Sequence, residues 1–316
     1  MKVSRAIVLS AATGVAVYIV IAAYTGWGKV ASELARFSWR AAAIGFALAA
    51  ANYLLRFAKW ELYLRRLGVR IPLGHSLQIF LSGFSLTVTP GKVGEVLKAY
   101  LLRESHGVPM ARTAPTVVAE RATDLLALVA LALVGVEALG GNARILWAAV
   151  GLVGVLVALA SWRRFAHWLI DIAARLPMLG RLAPKLREFY DATAVLLRPT
   201  PLLLATLLSI AAWACECLAF WVVLHGFPGA DASLKLCTFI YAAMTIAGAL
   251  SFLPGGLGVQ EGGMVALLVS TAHGVGGPTA AAATFVTRLC TLWFAVAVGL
   301  VALSTMKRGV DLRKLQ

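Results

Sequence analysis

A chain of 316 residues with 60% hydrophobic and 14% charged side chains, at a mean hydropathy of +0.84, is too apolar for a soluble globular domain. Its composition is that of an all-α polytopic membrane protein. The formal net charge of +15 would suggest nucleic acid in a soluble protein, but here the basic residues fall mainly in loops between apolar stretches, where they set orientation and meet anionic lipid, so no nucleic-acid partner is expected.

In chain order, Lys2 and Arg5 precede a first span at 6–24, which has no small-residue cleavage site and reads as an anchor. A mixed loop, 25–39, carries Lys29 and Arg36 against Glu33. The second span, 40–59, leads into a basic loop with Arg56, Lys59, Arg65, Arg66 and Arg70 against Glu61. The apolar pieces 75–89 and 92–103 are too short to cross a bilayer, which takes roughly 20 residues. They read as two half-helices that meet at Pro90-Gly91 and leave on the side they entered. Spans at 113–138 and 144–161 follow, separated by an uncharged loop. The segment 162–199 places Phe165, Trp168 and Leu176 beside Arg163, Arg164 and Arg175, the pattern of an amphipathic linker on the cytoplasmic surface. A span at 200–224 precedes a second broken pair, 232–253 and 257–273, which turns at Pro254-Gly255-Gly256. The last span is 279–305, and Lys307, Arg308, Arg313 and Lys314 end the chain.

Loop charges give about six full spans plus two re-entrant pairs, with both termini cytoplasmic. The chain divides into an N-terminal span and outer loop (1–39), a first repeat (40–138), a connecting span (139–161), the linker (162–199), a second repeat (200–305) and a tail (306–316). The first repeat runs out-to-in and the second in-to-out. Such inverted-topology repeats are a transporter architecture whose sites lie where discontinuous helices meet near the midplane.

Both breaks carry the same chemistry. Pro90-Gly91-Lys92-Val93-Gly94-Glu95 is followed by Arg121, and Pro254-Gly255-Gly256-Leu257-Gly258-Val259-Gln260-Glu261 by Arg288, about one span later in each case. Ionisable groups inside a membrane are expensive and mark pathways. Gly91, Lys92, Gly94, Glu95 and Arg121 in the first copy, with Gly255, Gly256, Gly258, Glu261 and Arg288 in the second, are therefore the candidate substrate-binding residues. Free N–H groups of the half-helices after each proline would favour an anionic headgroup. Against this, Glu95 and Glu261 can cap their own half-helices, and Arg121 and Arg288 can snorkel to an interface. Lys92 and Lys98 read first as interface lysines and second as guides for phosphate. Glu216, far from other charges, is either a proton site or a hydrogen-bonded packing carboxyl. Glu120 and Asp124, one turn apart, are further candidate proton sites that could pair with Arg121. The four cysteines read as inert buried thiols, and the five histidines show no metal-ligand spacing. No metal, cofactor or catalytic constellation is expected.

The two glycine motifs, with Glu120-Arg121 and Arg288, resemble the transmembrane domain of lysylphosphatidylglycerol synthases and their stand-alone flippase-like relatives, over roughly 40–305. The resemblance implies a multi-pass inner-membrane protein that handles lipids, in contexts such as aminoacyl-phosphatidylglycerol, polyprenyl-linked sugars and hopanoid-associated proteins. Lys92 stands where the first motif often has arginine, which removes bidentate phosphate recognition there. The sequence stops at Gln316 without an aminoacyl-transferase domain, so synthase activity is not carried over. The expected function is translocation of a phospholipid or polyprenyl-type lipid with an anionic headgroup. The alternatives are a non-catalytic subunit beside lipid-biosynthesis enzymes and a membrane-embedded headgroup transferase. Self-association into a homo-oligomer is open.

Overall fold

The computed structural model describes residues 3–89, 93–136, 147, 151, 154 and 183–306. Its helices are α1 (Val3–Thr25), α2 (Trp27–Arg36), α3 (Trp39–Arg66), α4 (Leu73–Ser82), α5 (Val93–His106), α6 (Met110–Thr113), α7 (Pro115–Val136), α8 (Ala183–Leu196), α9 (Pro199–Leu224), α10 (Leu234–Leu250), α11 (Val259–Thr271), α12 (Gly277–Arg288) and α13 (Phe294–Met306). Short 3-10 turns cover Gly83–Leu86 and Pro254–Gly256, and a π turn, Leu289–Trp293, joins α12 to α13. The all-helical, membrane-type expectation is met. Trp39–Arg66, Pro199–Leu224 and Gly277–Met306 are each long and apolar enough to cross a bilayer, and the bent pair 14–36 would make a fourth. Helix α7 is 22 residues long and carries Glu120, Arg121 and Asp124 in its first half. All of the expected span 144–161 except 147, 151 and 154, and most of the linker, including Arg163, Arg164 and Arg175, lie outside the described residues, as does the Pro90-Gly91-Lys92 break.

The expected loop 25–39 is largely helical. The chain bends by 99° between 14–25 and 27–36, at Gly26, whose φ of 93° suits a residue without a Cβ. Val30 and Leu34, one turn apart on α2, then pack on the core.

At the centre, α3 and α9 form the most extensive helix pair. In a bilayer there is no water to expel from between helices, so close approach of small residues and interhelical hydrogen bonds must hold them together. Ala41, Ala42, Gly45 and Ala49 of α3 and Ala205, Ala212 and Ala219 of α9 are buried, and Asn52 Nδ2 donates to Ala212 O at 2.7 Å. The pair is antiparallel: Ser38 N–H bonds Gly226 O at one end and Lys59 Nζ bonds Ser209 Oγ further along.

Two helical hairpins flank this pair. In the first, α4 and the Gly83–Leu86 turn run out and α5 returns, with the His75 and His106 rings 5.6 Å apart at the open end. In the second, α10 runs out and α11 returns, with Asp231 N–H bonded to His273 O at 3.1 Å at the open end. The first opens beside the C-terminus of α3, where Arg112 Nε donates to Leu67 O at 3.0 Å. The second opens just after the C-terminus of α9, at the opposite end of the antiparallel pair. Their tips meet: Val88 Cγ1 would lie 3.3 Å from a Cβ on Gly255, and Val88, Leu257, Leu292 and Val296 form a buried cluster there.

Each helix that follows a hairpin packs on the other hairpin. Helix α7 lies on α10, with Gly135 against Lys235 O and Phe239. Helix α13 lies on α4 and the first tip, where Thr305 accepts from Gln78 at 2.9 Å and Gly299 faces backbone. A Cβ on Gly299 would come within 2.6 Å of the Phe84 carbonyl carbon and 2.9 Å of Ser85 Cα. We expect Gly299→Ala to lower stability by about 1–3 kcal/mol, the usual cost of overpacking a tight contact, read as a fall in melting temperature of the detergent-purified protein. An unchanged melting temperature would show that the two helices are not held at this separation.

Candidate functional site

A cavity of about 350 Å³ lies where the hairpin tips meet, walled by α3, α5, α7, α9, α10 and the second tip. Its walls carry Arg56, Lys98, Glu120, Arg121, Glu216 and Arg288. Spacing explains why they converge. Asn52, Arg56 and Lys59 stand at i, i+4 and i+7 on α3, Glu120 and Asp124 at i and i+4 on α7, and Ser209, Trp213 and Glu216 at i, i+4 and i+7 on α9. Each set puts its polar groups on one helix face.

Arg288 ends α12. Its Nε donates to Glu261 Oε1 at 2.6 Å, Nη1 to Gln260 Oε1 at 3.0 Å and Nη2 to Gly255 O at 2.8 Å. Glu261 is fully buried, and its second oxygen accepts the Gly258 N–H at 2.7 Å. One carboxylate thus caps α11 and fixes the guanidinium, satisfying both charges away from water. The turn that allows this has positive φ at Gly255, Gly256 and Gly258 (62°, 69° and 89°), where L side chains would be strained. Gly255 and Gly256 line the cavity; Gly258 and Glu261 stand behind it. At the start of α11, the Gly258 N–H is taken by Glu261. Beyond Arg288, the π turn frees a carbonyl, and Tyr53 Oη donates to Thr291 O at 2.8 Å.

On the other wall, Glu120 accepts from Lys98 Nζ at 2.8 Å with each oxygen, and the ammonium sits 4.7 Å from the Trp60 ring centroid and 5.4 Å from that of Phe80. Asp124 accepts from Arg56 at 2.9 Å, Lys59 at 2.6 Å and Ser209 at 2.9 Å. Arg56 also lies 5.3 Å from the Trp213 ring. Arg121 lines the cavity and feels the Asp124 charge. Glu216 accepts from Tyr241 Oη at 2.6 Å.

Three readings of single basic residues change. Lys98 is not an interface lysine: it is 4% exposed and ion-paired. Arg56 and Lys59 are not loop cations, since Lys59 is 1% exposed and both hold Asp124. The i, i+4, i+7 stripe with Asn52 was the signal that could have placed them. Tyr241 and Tyr53 are further wall residues that carried no mark in the sequence, and Gln260, inside the second glycine motif, is another wall residue. In the first break, Gly91 and Lys92 lie outside the described residues; Gly94 and Glu95 fall in the first turn of α5, and their side chains also lie outside them. Among the described residues no group of three His, Cys, Asp or Glu is placed to hold a metal.

Among the described non-glycine residues only Phe252 has a positive φ, 55°. It is 83% exposed at the second tip and lines the cavity. A bulky residue there costs of order 1–3 kcal/mol, strain that clusters beside functional sites.

Comparison with known proteins places the chain among membrane proteins. The family model described as "Lysylphosphatidylglycerol synthase TM region" matches residues 7–299. Three proteins of Methanothermobacter thermautotrophicus, each named "UPF0104 membrane protein", are similar to the chain. One is 24% identical over 270 residues, covering 78% of this chain and 79% of its own length. A second is 28% identical over 227 residues, covering 65% and 66%. A third is 25% identical over 328 aligned residues, covering 94% and 92%. With nearly its whole length matched, the chain belongs to the lysylphosphatidylglycerol synthase TM region family of membrane proteins.

Proposed function

We propose that the protein is a lipid translocator of the inner membrane, passing a phospholipid or polyprenyl-type lipid between leaflets by lodging its anionic headgroup in the central cavity. The observation that carries this reading is the meeting of Arg56, Arg121 and Arg288 on the walls of one cavity at the junction of the two hairpin tips. Guanidinium is the side chain best suited to phosphate, because its planar fork can donate two parallel hydrogen bonds. A volume of about 350 Å³ is at the small end of ligand pockets, suited to a headgroup with the acyl chains left in lipid. The protein moves the lipid and does not modify it.

In this reading the hairpins are re-entrant and belong to inverted repeats, 40–138 and 200–305, with both chain termini cytoplasmic. Support comes from their open ends lying at opposite ends of the α3/α9 pair and from the crossed packing of α7 and α13. Single cysteines replacing His106 and Asp231, in a chain whose four native cysteines are replaced by serine, should label from opposite faces of the membrane. Labelling from one face would overturn the inverted arrangement.

The functional test is reconstitution into liposomes with fluorescent phosphatidylglycerol or a fluorescent, phosphate-free glycolipid in both leaflets, followed by dithionite quenching from outside. Phosphatidylglycerol should exchange faster by at least about tenfold, the effect of a single charge-assisted hydrogen bond. Equal rates would remove the phosphate site. No exchange of either lipid would favour the reading as a subunit beside a lipid-synthesis enzyme.

A further inference from the structure

Four carboxyls surround the cavity among the described residues, and they are not alike. Glu120 bonds Lys98, Asp124 bonds Arg56 and Lys59, and Glu261 bonds Arg288. Each is bonded directly to at least one cation. Glu216 is different: it is 7% exposed, lines the cavity, and its bond is to a neutral phenol, Tyr241 Oη. The groups facing it come from every helix packed on this part of α9. They are Arg56 and Tyr53 of α3, Asp124 of α7, Tyr241 of α10 and Arg288 of α12, with Cys215 and Cys217 adjacent on its own helix. Glu216 therefore lies in the field of two guanidiniums, one from each half of the molecule, without being bonded to either.

A phosphate oxygen entering the cavity would occupy that same field. In a medium of low dielectric, two anions sharing it repel strongly. Resting on the anionic-headgroup reading above, we propose that Glu216 is the counter-anion of the empty cavity and takes up one proton from the aqueous phase as the lipid phosphate binds. No covalent bond other than the new carboxyl O–H forms or breaks, and the proton returns to water when the lipid leaves. The cavity then has the same net charge empty and loaded: carboxylate in one state, phosphate with a neutral carboxyl in the other. Equal charge lets both states undergo the same conformational step inside the membrane, and it makes lipid and proton bind together.

Linkage gives the sign. If the complex holds one proton more than the free protein, binding weakens as pH rises, by up to tenfold in Kd for each pH unit above the point where free Glu216 is ionised. The probe is dihexanoyl phosphatidylglycerol, titrated calorimetrically into the full-length protein in non-ionic detergent, in two buffers of different ionisation enthalpy and at several pH values. Wild type should take up about one proton per lipid bound, with the rising Kd that this requires. Glu216→Gln should bind with no uptake and a flat pH profile. Tyr241→Phe keeps the carboxyl but removes the donor that favours its ionised form, so its uptake should fall well below that of wild type; it also serves if the glutamine variant does not fold. Binding to wild type without proton uptake overturns the proposal, as does undiminished uptake in either variant or loss of binding in a monodisperse Glu216→Gln protein. Absence of binding to wild type overturns the anionic-headgroup reading itself, and this inference with it.

Discussion

Asp124→Asn should prevent the protein from accumulating as a folded, monodisperse species. Among the described residues, Asp124 is the one carboxylate bonded to both Arg56 and Lys59, and its partner Lys59 is almost wholly buried. An amide keeps the shape and one acceptor oxygen but removes the charge, so the buried Lys59 would lose its bonded counter-ion and Arg56, which lines the cavity, its bonded carboxylate. Removing one partner of a buried ion pair costs about 3–5 kcal/mol, a large part of the roughly 5–15 kcal/mol that holds a typical domain together. Size-exclusion chromatography of the detergent extract would show most of the variant aggregated or degraded, and any folded fraction would melt well below wild type. Replacing Lys59 by methionine together with Asp124→Asn should recover part of the loss, since the deepest unpaired charge then goes as well. A single Asp124→Asn protein with normal yield and melting temperature would show that these charges reach water.

That triad also marks where sequence reasoning stops. The second break was legible because its parts are close in sequence and rare in kind: three glycines after a proline, a glutamate, and an arginine 27 residues later that does contact it. Helix type and the broken pairs were legible from segment length and hydropathy. Arg56 and Lys59 were not, because a basic residue near the end of an apolar run counts equally as a loop charge under the positive-inside rule. Only their register with Asn52 tells an inward face from a loop, and the partner, Asp124, is 65 residues beyond Lys59. Lys98 was obscured in the same way, and the Glu120 that holds it is 22 residues away. The 99° bend at Gly26 was missed because Lys29, Glu33 and Arg36 make α2 look like a polar loop, although Val30 and Leu34 are spaced as one helix face. The π turn after Arg288 has no sequence signature. Its carbonyl is satisfied by Tyr53, a residue 238 positions away.

The largest functional loss is expected at Arg288, and the structure separates two ways of producing it. Arg288→Lys keeps the charge but replaces a planar fork by a single ammonium, so it cannot hold Glu261, Gln260 and Gly255 O at once. Each hydrogen bond to a charged group that is lost costs about 1.5–3 kcal/mol. Forfeiting one in the transport step would slow lipid exchange by roughly 10–100-fold, and the attraction that remains between the substituted ammonium and Glu261 limits the accompanying loss of stability. Glu261→Gln acts from behind. It leaves the cavity wall in place but releases the guanidinium from its counter-charge and weakens the cap at Gly258, so both stability and exchange should fall. The pair of variants thus distinguishes contact from support. Arg288→Lys should lower the exchange rate of fluorescent phosphatidylglycerol by more than its fall in melting temperature accounts for, whereas Glu261→Gln should lower exchange only in step with its loss of stability. If Arg288→Lys exchanges lipid at the wild-type rate, Arg288 is a structural pin for the second hairpin tip, and the headgroup must be held by Arg56 and Arg121 instead.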